Sequence, residues 1–186
     1  GSLWAQDARQ DSAIYYYNLL LDSDNYRENA LLSIAGIYYQ LGQYKETMSM
    51  LERLIAGYPE SRYLADAYIL EARALKSQGD HKAAINVLLE LTEAAKDRAD
   101  IYMELGDLYF DTDSFVEARQ CYLKACEKFK QNREEAARAL LLAGDASMAI
   151  GDGPHSREYY LQASMIAESA MLKNRALRKL AALAEE

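Results

Sequence analysis

An internal repeat is the feature that most restricts how this chain can fold. Four times along the sequence, a leucine or tyrosine is followed four residues later by a small residue, at Ala35, Ala72, Gly106 and Gly144. Twelve residues further on comes the start of a second signature, at Thr47, Ala84, Ala118 and Ser156. Because the interval is the same all four times, the sequence predicts a tandem array of similar two-part units.

Each part of the repeat is typical of an amphipathic helix. Its large residues recur at intervals of three and four, which places them on one face of an α-helix. The chain has only 2 prolines, so few positions would break a helix. The small residues allow a neighbouring helix to approach closely, while the larger residues around them fill the remaining groove.

Short turns are predicted between the two helices of each pair. Gly42, Gly79 and Gly151 lie where a helix should end, and glycine adopts the left-handed conformation needed there. Asp113 stands in the equivalent position of the third pair, and Asp tolerates this conformation better than most residues. The expected helix starts are a proline, Pro154, and four capping-box-like pairs, Asn25/Glu28, Asp97/Asp100, Ser114/Glu117 and Asn132/Glu135.

The pattern resembles the tetratricopeptide repeat, a helix–turn–helix unit of about 34 residues that carries W-x2-L-G-x2-Y and then A-x3-F. One copy here reads Tyr102-x2-Leu105-Gly106-x2-Tyr109, and another reads Tyr68-x2-Glu71-Ala72-x2-Leu75. The resemblance covers nearly the whole chain. It implies an all-α fold, a right-handed superhelical solenoid of antiparallel helix pairs.

We expect a single solenoid domain over residues 1–186. Its predicted parts are a truncated leading pair at 3–22, full pairs at about 25–58, 60–96, 98–130 and 133–169, and a closing helix at 171–185. Extra residues at 58–63 and 129–135 are expected to lengthen helices. The closing helix reads either as a cap over the last apolar face or as the first helix of a further pair.

The charge of the chain restricts its partners. The net charge is −8 and the sequence pI is about 4.9. Nucleic acids and anionic membrane surfaces are bound through basic surfaces, so neither is expected as a partner. No apolar run approaches the ~18 residues of a membrane span, so direct membrane insertion is not expected either.

The sequence contains none of the motifs that would indicate an enzyme. It lacks HExxH, GxSxG and paired Cys-x2-Cys, and its two histidines, His81 and His155, have no second ligand at suitable spacing. The Asp111-Thr112-Asp113 segment lacks the glycine and the ligand arc of a calcium loop. We therefore predict a non-catalytic protein without a metal or cofactor.

The first helices of the pairs are expected to carry the binding site on a concave face. Residues spaced 3, 4 and 3 along each first helix, away from the small packing residues, form one stripe there. The predicted contact residues are Tyr39, Ile69, Arg73, Lys76, Met103, Asp107, Phe110, Leu141 and Met148. Aromatic and methionine side chains supply the anchors and adaptable walls that peptide grooves use.

In the tetratricopeptide repeat family, which this chain resembles, the best-known peptide site is a clamp that holds a C-terminal carboxylate with Lys and Asn. This chain has Leu32 and Gly36, or Met103 and Asp107, at such positions, so the clamp is not expected. An extended or helical apolar segment with some basic character is the predicted ligand of a protein-interaction adaptor.

Two other functions stay open at this point, a self-assembling homo-oligomeric scaffold and a regulatory module of a larger protein. The segment 58–67 also resembles a junction of bacterial envelope tetratricopeptide lipoproteins. That resemblance implies a bacterial periplasmic or envelope location, with the cytoplasm as the alternative.

Overall fold

The fold is built from consecutive α-helices. The computed structural model describes residues 12–23 and 25–183. Helix α1 is described over residues 12–20, and the predicted start of the leading pair lies outside the described residues. The further helices are α2 (Arg27–Gln40), α3 (Tyr44–Gly57), α4 (Leu64–Ser77), α5 (His81–Ala94), α6 (Ala99–Asp111), α7 (Phe115–Lys128), α8 (Arg133–Ile150), α9 (Gly153–Ile166) and α10 (Ala170–Ala182).

This element order confirms the predicted all-α fold of tandem helix pairs. The pairs α2–α3, α4–α5, α6–α7 and α8–α9 correspond to the four full pairs read from the sequence. No residue in the described ranges is in a β-strand. Helix α10 follows a pair as a single helix, at the place predicted for the closing helix.

The four predicted turns have the expected backbone conformation. Gly42, Gly79 and Gly151 have φ angles of 70°, 85° and 84°, and Asp113 has a φ of 58°. Within the described residues, Asp113 is the one position other than glycine with a positive φ. The left-handed turn is therefore a property of the repeat, and Asp supplies it where glycine is missing.

The predictions at helix starts are partly wrong. The Asn132 side chain accepts a hydrogen bond from the Glu135 backbone N–H at 3.1 Å, as expected. However, α2 begins after Tyr26 and α6 after Arg98, so Asn25 and Asp97 do not occupy the cap positions. Ser114 does precede α7, but its side chain makes no capping hydrogen bond.

The extra residues at the two junctions behave differently from each other. Residues 58–63 form a loop between α3 and α4, which corrects the prediction of a longer helix there. Pro59 follows the end of α3 and cannot supply the N–H that a continued helix needs. At the second junction α8 is indeed longer, with 18 residues against 13 or 14 in the other helices of the full pairs.

The chain divides into two compact units, Gly1–Val87 and Leu88–Glu186, and the division falls within α5. In the first unit, α2, α3 and α4 enclose a core of Leu31, Ala35, Leu51, Leu54 and Ala67. In the second unit, α6, α7 and α8 share one apolar cluster, and α8, α9 and α10 share another. Each unit therefore has a core of its own, and the prediction of a single domain over the whole chain stays a prediction.

In each pair described below, the size of one residue on the first helix matches the size of the residue that packs on it from the second helix. In the second unit, the rings of Tyr122 and Tyr160 lie directly on Gly106 and Gly144. A Cβ atom at Gly106 would meet the Tyr122 ring at 2.5 Å, and one at Gly144 would meet the Tyr160 ring at 2.4 Å. In the first unit the equivalent positions hold Ala35 and Leu51, a larger residue against a smaller one.

Each of these tyrosines also reaches a carboxylate of its partner helix. The Tyr122 hydroxyl donates to Asp107 Oδ1 at 2.7 Å, and the Tyr160 hydroxyl donates to Asp145 Oδ1 at 2.6 Å. Both rings are almost fully buried, so the hydrogen bond satisfies a polar atom at the end of an apolar side chain. The glycine next to each aspartate is what gives the ring access to it.

The glycine–tyrosine packing predicts a specific pattern of stability. Gly106→Ala should destabilise the protein by about 1–3 kcal/mol, because the buried, hydrogen-bonded Tyr122 ring cannot move away from the new methyl group. Tyr122→Leu should lose packing and a hydrogen bond when made alone. The double variant should lose less free energy of unfolding than the two single variants lose together. The reason is that alanine and leucine are the combination found at Ala35 and Leu51. Chemical denaturation of all three variants gives the coupling free energy.

Gly36→Ala is the matched control for this experiment. Gly36 is also helical, but a Cβ atom there would have nothing within 4 Å. The substitution should stabilise the protein by about 0.5–1 kcal/mol through helix propensity alone. If Gly106→Ala were stabilising to the same extent, the proposed packing constraint would be wrong.

Candidate binding surface

The predicted contact residues fall into a buried set and an accessible set. Ile69, Met103 and Leu141 are 5%, 8% and 0% exposed. The sequence prediction placed these three side chains on an open face, and the structure corrects it. The accessible or half-buried members are Tyr39, Arg73, Lys76, Asp107, Phe110 and Met148.

In the second unit, the burial of Met103 and Leu141 has a common physical cause. Met103 belongs to the same apolar cluster as Ala139 and Ala143 on α8, the first helix of the following pair. Leu141 belongs to the cluster of Leu172 and Ala176 on α10. In the second unit, this position of the stripe on α6 and α8 is therefore packed inside the protein and is not available to a ligand.

In the first unit, Tyr39 takes part in contacts within the protein. Its hydroxyl lies 3.3 Å from Ser77 Oγ on α4, and its ring lies against Tyr44 with the centroids 5.9 Å apart. Arg73 is exposed and Lys76 is half-buried on α4. These residues give the first unit polar and aromatic side chains that are at least partly exposed.

In the second unit, Phe110 and Met148 line a cleft that also involves the closing helix. The cleft has a volume of about 310 Å³. We call it the α8–α10 cleft, and its lining residues are Phe110, Asp145, Met148, Tyr160, Lys179, Ala182 and Leu183. Two predicted contact residues thus meet in one site, together with the neighbouring Asp145 of the same stripe.

Asp145 is the polar centre of this cleft. Besides the hydrogen bond from Tyr160, its carboxylate lies 3.0 Å from Lys179 Nζ and 3.9 Å from an Arg175 guanidinium nitrogen. Lys179 and Arg175 both belong to α10, so a carboxylate on α8 draws the closing helix against the cleft. The charged groups at the cleft are already paired, and its apolar walls are the part left open to a ligand.

Sequence reasoning did not identify Tyr160, Lys179 or Leu183 as cleft residues. Tyr160 follows the second-signature residue Ser156 by four positions, and Lys179 lies within the predicted closing helix. What was missing was the folded position of α10, which brings its polar side to Asp145. The four basic residues of α10, Lys173, Arg175, Arg178 and Lys179, are the one signal that could have indicated an acidic neighbour.

The two tyrosine–aspartate pairs have an electrostatic signature. Burial raises the pKa of the Tyr122 phenol far above its usual range, and the adjacent Asp107 charge adds to the effect. Burial and the hydrogen bond to Asp145 likewise raise the pKa of Tyr160. Both phenols therefore stay protonated donors near neutral pH, and the hydrogen bonds hold over the physiological range.

The described residues offer little material for other chemistry. They contain no group of three or more His, Cys, Asp or Glu side chains arranged to hold a metal ion. Burial raises the pKa of the Cys121 thiol to about 11 and also raises that of Cys126, so both thiols are protonated near neutral pH. None of the described helices combines the length and the apolar character that crossing a membrane requires.

His155 belongs to a structural contact at the start of α9. The Asp152 carboxylate accepts a hydrogen bond from the His155 backbone N–H, lies 2.8 Å from His155 Nδ1, and pairs with Arg119 of α7 at 2.8 Å. These hydrogen bonds, from His155 first and Arg119 next, lower the pKa of Asp152. The Asp152 carboxylate therefore connects α7 with the start of α9.

Comparisons with known proteins agree with the resemblance in the repeat. A family model described as tetratricopeptide repeat matches residues 69–133. Among curated proteins, none matches the chain. The matched segment includes α6, α7 and the glycine–tyrosine pair at Gly106 and Tyr122.

Solved structures share the fold over most of the chain. BtubC from P. vanneervenii has a TM-score of 0.80 at 16% identity, covering 100% of this chain and 84% of its own. A MamA structure has a TM-score of 0.68 at 22% identity, with coverages of 89% and 87%. YrrB, described as a TPR protein with an unusual peptide-binding site, has a TM-score of 0.65 at 19% identity, with coverages of 95% and 88%. The resemblance to tetratricopeptide repeat proteins is therefore confirmed, and at these identities it concerns the fold.

The buried tyrosines predict how stability changes at alkaline pH. Their folded-state pKa values are raised above the unfolded value of about 10, so the folded protein binds more protons than the unfolded chain above this pH. The contribution of these tyrosines to the free energy of unfolding should therefore be constant below about pH 10. Above about pH 10 it should fall by up to about 1.4 kcal/mol per pH unit for each tyrosine. Denaturation at several alkaline pH values, followed together with tyrosinate absorbance, measures the slope.

The double variant Tyr122→Phe and Tyr160→Phe provides the control. It should be less stable near neutral pH by about 1 kcal/mol for each lost hydrogen bond. Its stability should then depend less steeply on pH, because phenylalanine has no proton to lose. Equal alkaline slopes in the variant and the wild type would contradict the assignment.

Proposed function

We propose that this protein is a non-catalytic protein-interaction adaptor that binds a polypeptide segment in the α8–α10 cleft. The observation that carries the proposal is the composition of the cleft, in which Phe110 and Met148 lie beside the paired charges of Asp145 and Lys179. Apolar anchors with a few placed polar groups are typical of binding sites for peptides. The peptide-binding site stated for YrrB, which has the same fold, supports this choice of ligand class.

The size of the cleft favours a side chain over a small-molecule substrate. Its volume of about 310 Å³ is at the low end of ligand pockets, which hold roughly 300–1,000 Å³. A leucine, methionine or aromatic side chain of a partner segment fits such a space. Lys179 is partly exposed at its edge and has donors to offer to a backbone carbonyl of that segment.

The partner's charge follows from what Asp145 already binds. Because Tyr160, Lys179 and Arg175 all approach this carboxylate, a basic side chain of the partner would have to displace one of them. We therefore assign the apolar anchor to the cleft. Any basic character of the partner would be attracted by the remaining surface of a chain whose net charge is −8.

The cleft is tested with peptides selected for binding to the wild-type protein. A random peptide library displayed on phage is panned against the full chain, and the selected peptides are synthesised and measured by fluorescence anisotropy. Combined Phe110→Ala and Met148→Ala should weaken their binding by about tenfold or more, because truncated anchor residues cost on the order of 1–2 kcal/mol each.

The matched control removes apolar side chains elsewhere in the same unit. Leu161 and Met165 on α9 are 47% and 70% exposed, and neither lines the cleft. Replacing both with alanine should leave the affinity unchanged, while circular dichroism shows whether each variant is folded. Selected peptides that bind both double variants equally well would contradict the proposal.

Self-assembly is a second candidate function, favoured by the exposed side of α10. Met171 is 81% exposed there, and together with Asn174, Arg175, Arg178, Lys179 and Ala182 it borders an open groove of about 540 Å³. On α8, the Leu141 side chain is buried in an apolar cluster that α10 completes. A second copy would cover this face of α10 in the same way.

Light scattering over a wide concentration range distinguishes this candidate from a monomeric adaptor. A homo-oligomer that uses α10 should dissociate when Met171→Glu is introduced, because the change puts a charge into an apolar contact. The control is Met165→Glu, which places the same charge on the exposed surface of α9. A protein that is monomeric at every concentration excludes self-assembly.

Two further expectations stay predictions. The bacterial envelope location is supported by the resemblance of segment 58–67 alone. A role as a regulatory module of a larger protein is compatible with the adaptor proposal, because the α8–α10 cleft would act in the same way within a longer chain.

A further inference from the structure

A second groove lies in the first unit, on residues that the proposed function does not use. It has a volume of about 320 Å³ between α3 and α4. We call it the Glu71 groove and define it by Met48, Glu52, Ile55, Ala56, Tyr68 and Glu71. Its walls are apolar or aromatic, and its charged groups are two carboxylates.

Glu71 occupies a position that the repeat otherwise gives to the core. It directly precedes the small residue Ala72 in the repeat signature. The same position holds Ile34, Leu105 and Ala143 in the other pairs, and these are at most 1% exposed. A carboxylate among such residues breaks the apolar pattern of its helix, and departures of this kind are expected at functional positions.

The Glu71 carboxylate has no partner within the described part of the protein. None of the hydrogen bonds and ion pairs among the described residues involves it, although it is half-buried. Its surroundings raise its pKa, and the cause is burial alone, without a compensating cation or donor. A half-buried charge without compensation costs stability, which an apolar residue at this position would not do.

The location of the groove separates it from the α8–α10 cleft. Glu71 lies one position before Ala72 and faces α3, the second helix of the preceding pair. The cleft instead uses Asp145 and Met148, which lie one and four positions after the small residue Gly144. The groove is therefore a distinct surface in the first unit, and its use does not depend on the cleft.

We propose that the Glu71 groove is a docking site for a partner polypeptide segment that inserts one basic side chain, arginine or lysine, between apolar residues. The cationic head would pair with the Glu71 carboxylate, with Glu52 as a second acidic group at the groove. The methylene stem would pack on Ile55 and Tyr68, because long basic side chains bury their stems along apolar surface. The partner's flanking apolar residues would contact Met48 and Ala56.

Charge complementarity selects this occupant. A groove with apolar walls and two acidic groups repels an acidic segment and leaves a carboxylate uncompensated under a purely apolar one. The described residues contain no group of three or more His, Cys, Asp or Glu side chains that could hold a metal ion. A cation with an apolar stem satisfies both the charge and the walls.

The test uses a short synthetic peptide of alternating leucine and arginine as the probe. A second peptide carries citrulline, which has the shape of arginine without its charge. The full chain is labelled with ¹⁵N, and each peptide is titrated to millimolar concentration while amide chemical shifts are recorded. The arginine peptide should shift the amides of Met48, Ile55, Ala56 and Tyr68, and the citrulline peptide should bind at least about tenfold more weakly.

Variants at Glu71 identify the group responsible. Glu71→Gln should weaken binding of the arginine peptide about tenfold and bring it to the level of the citrulline peptide. The matched control, Glu46→Gln, removes an exposed carboxylate from α3, one of the two helices that form the groove, and should leave the affinity unchanged. Glu71→Leu should abolish the dependence on arginine and raise the unfolding temperature, because it restores the apolar pattern.

Three results would overturn the proposal. These are no shifts at the groove residues at millimolar peptide, equal affinity of wild type and Glu71→Gln, and equal affinity for arginine and citrulline. Shifts confined to Phe110 and Met148 would place the peptide in the α8–α10 cleft and would also count against the groove. If the groove amides shift with protein concentration in the absence of peptide, its occupant is a second copy of the chain instead.

Discussion

The packing of one side chain across a helix pair, as in α2–α3, α6–α7 and α8–α9, is the constraint on which the rest of the structure depends. The small residue of the first helix and the residue sixteen positions later must together fill one space, as Gly106 with Tyr122 or Ala35 with Leu51. In the second unit, this contact also carries the tyrosine hydroxyl to Asp107 or Asp145. The position of Asp145, and through Lys179 that of the closing helix, follows from it.

Most of the fold was predictable because it depends on local rules. Helix pairs, their register and their turns follow from spacing and from backbone conformation, and even the left-handed Asp113 was identified from its place in the repeat. The errors occurred where a local rule allowed more than one outcome. Asn25 and Asp97 have the right side chains for caps, but α2 and α6 begin one residue later than they would require.

The candidate site was predictable only in part, because burial depends on neighbours that are distant in sequence. The spacing of three and four put Met103, Asp107 and Phe110 on one stripe, but it contains no information about which of them the next helix covers. Met103 is buried in the apolar cluster that α6 shares with α7 and α8, while Phe110 lines the α8–α10 cleft. Glu71 shows the complementary case, since its departure from the repeat was visible in the sequence while its unpaired, half-buried state was not.

The exchange between glycine–tyrosine and alanine–leucine has a consequence for how such a chain can change by duplication or recombination. A first helix with Ala35 joined to a second helix with Tyr122 would force a methyl group into a ring, and Gly106 joined to Leu51 would leave an empty space. Single helices are therefore not interchangeable between the two kinds of pair. Complete pairs are compatible at this contact, so the pair is the unit that can be duplicated or recombined. Within a pair, the two contacting residues must change together.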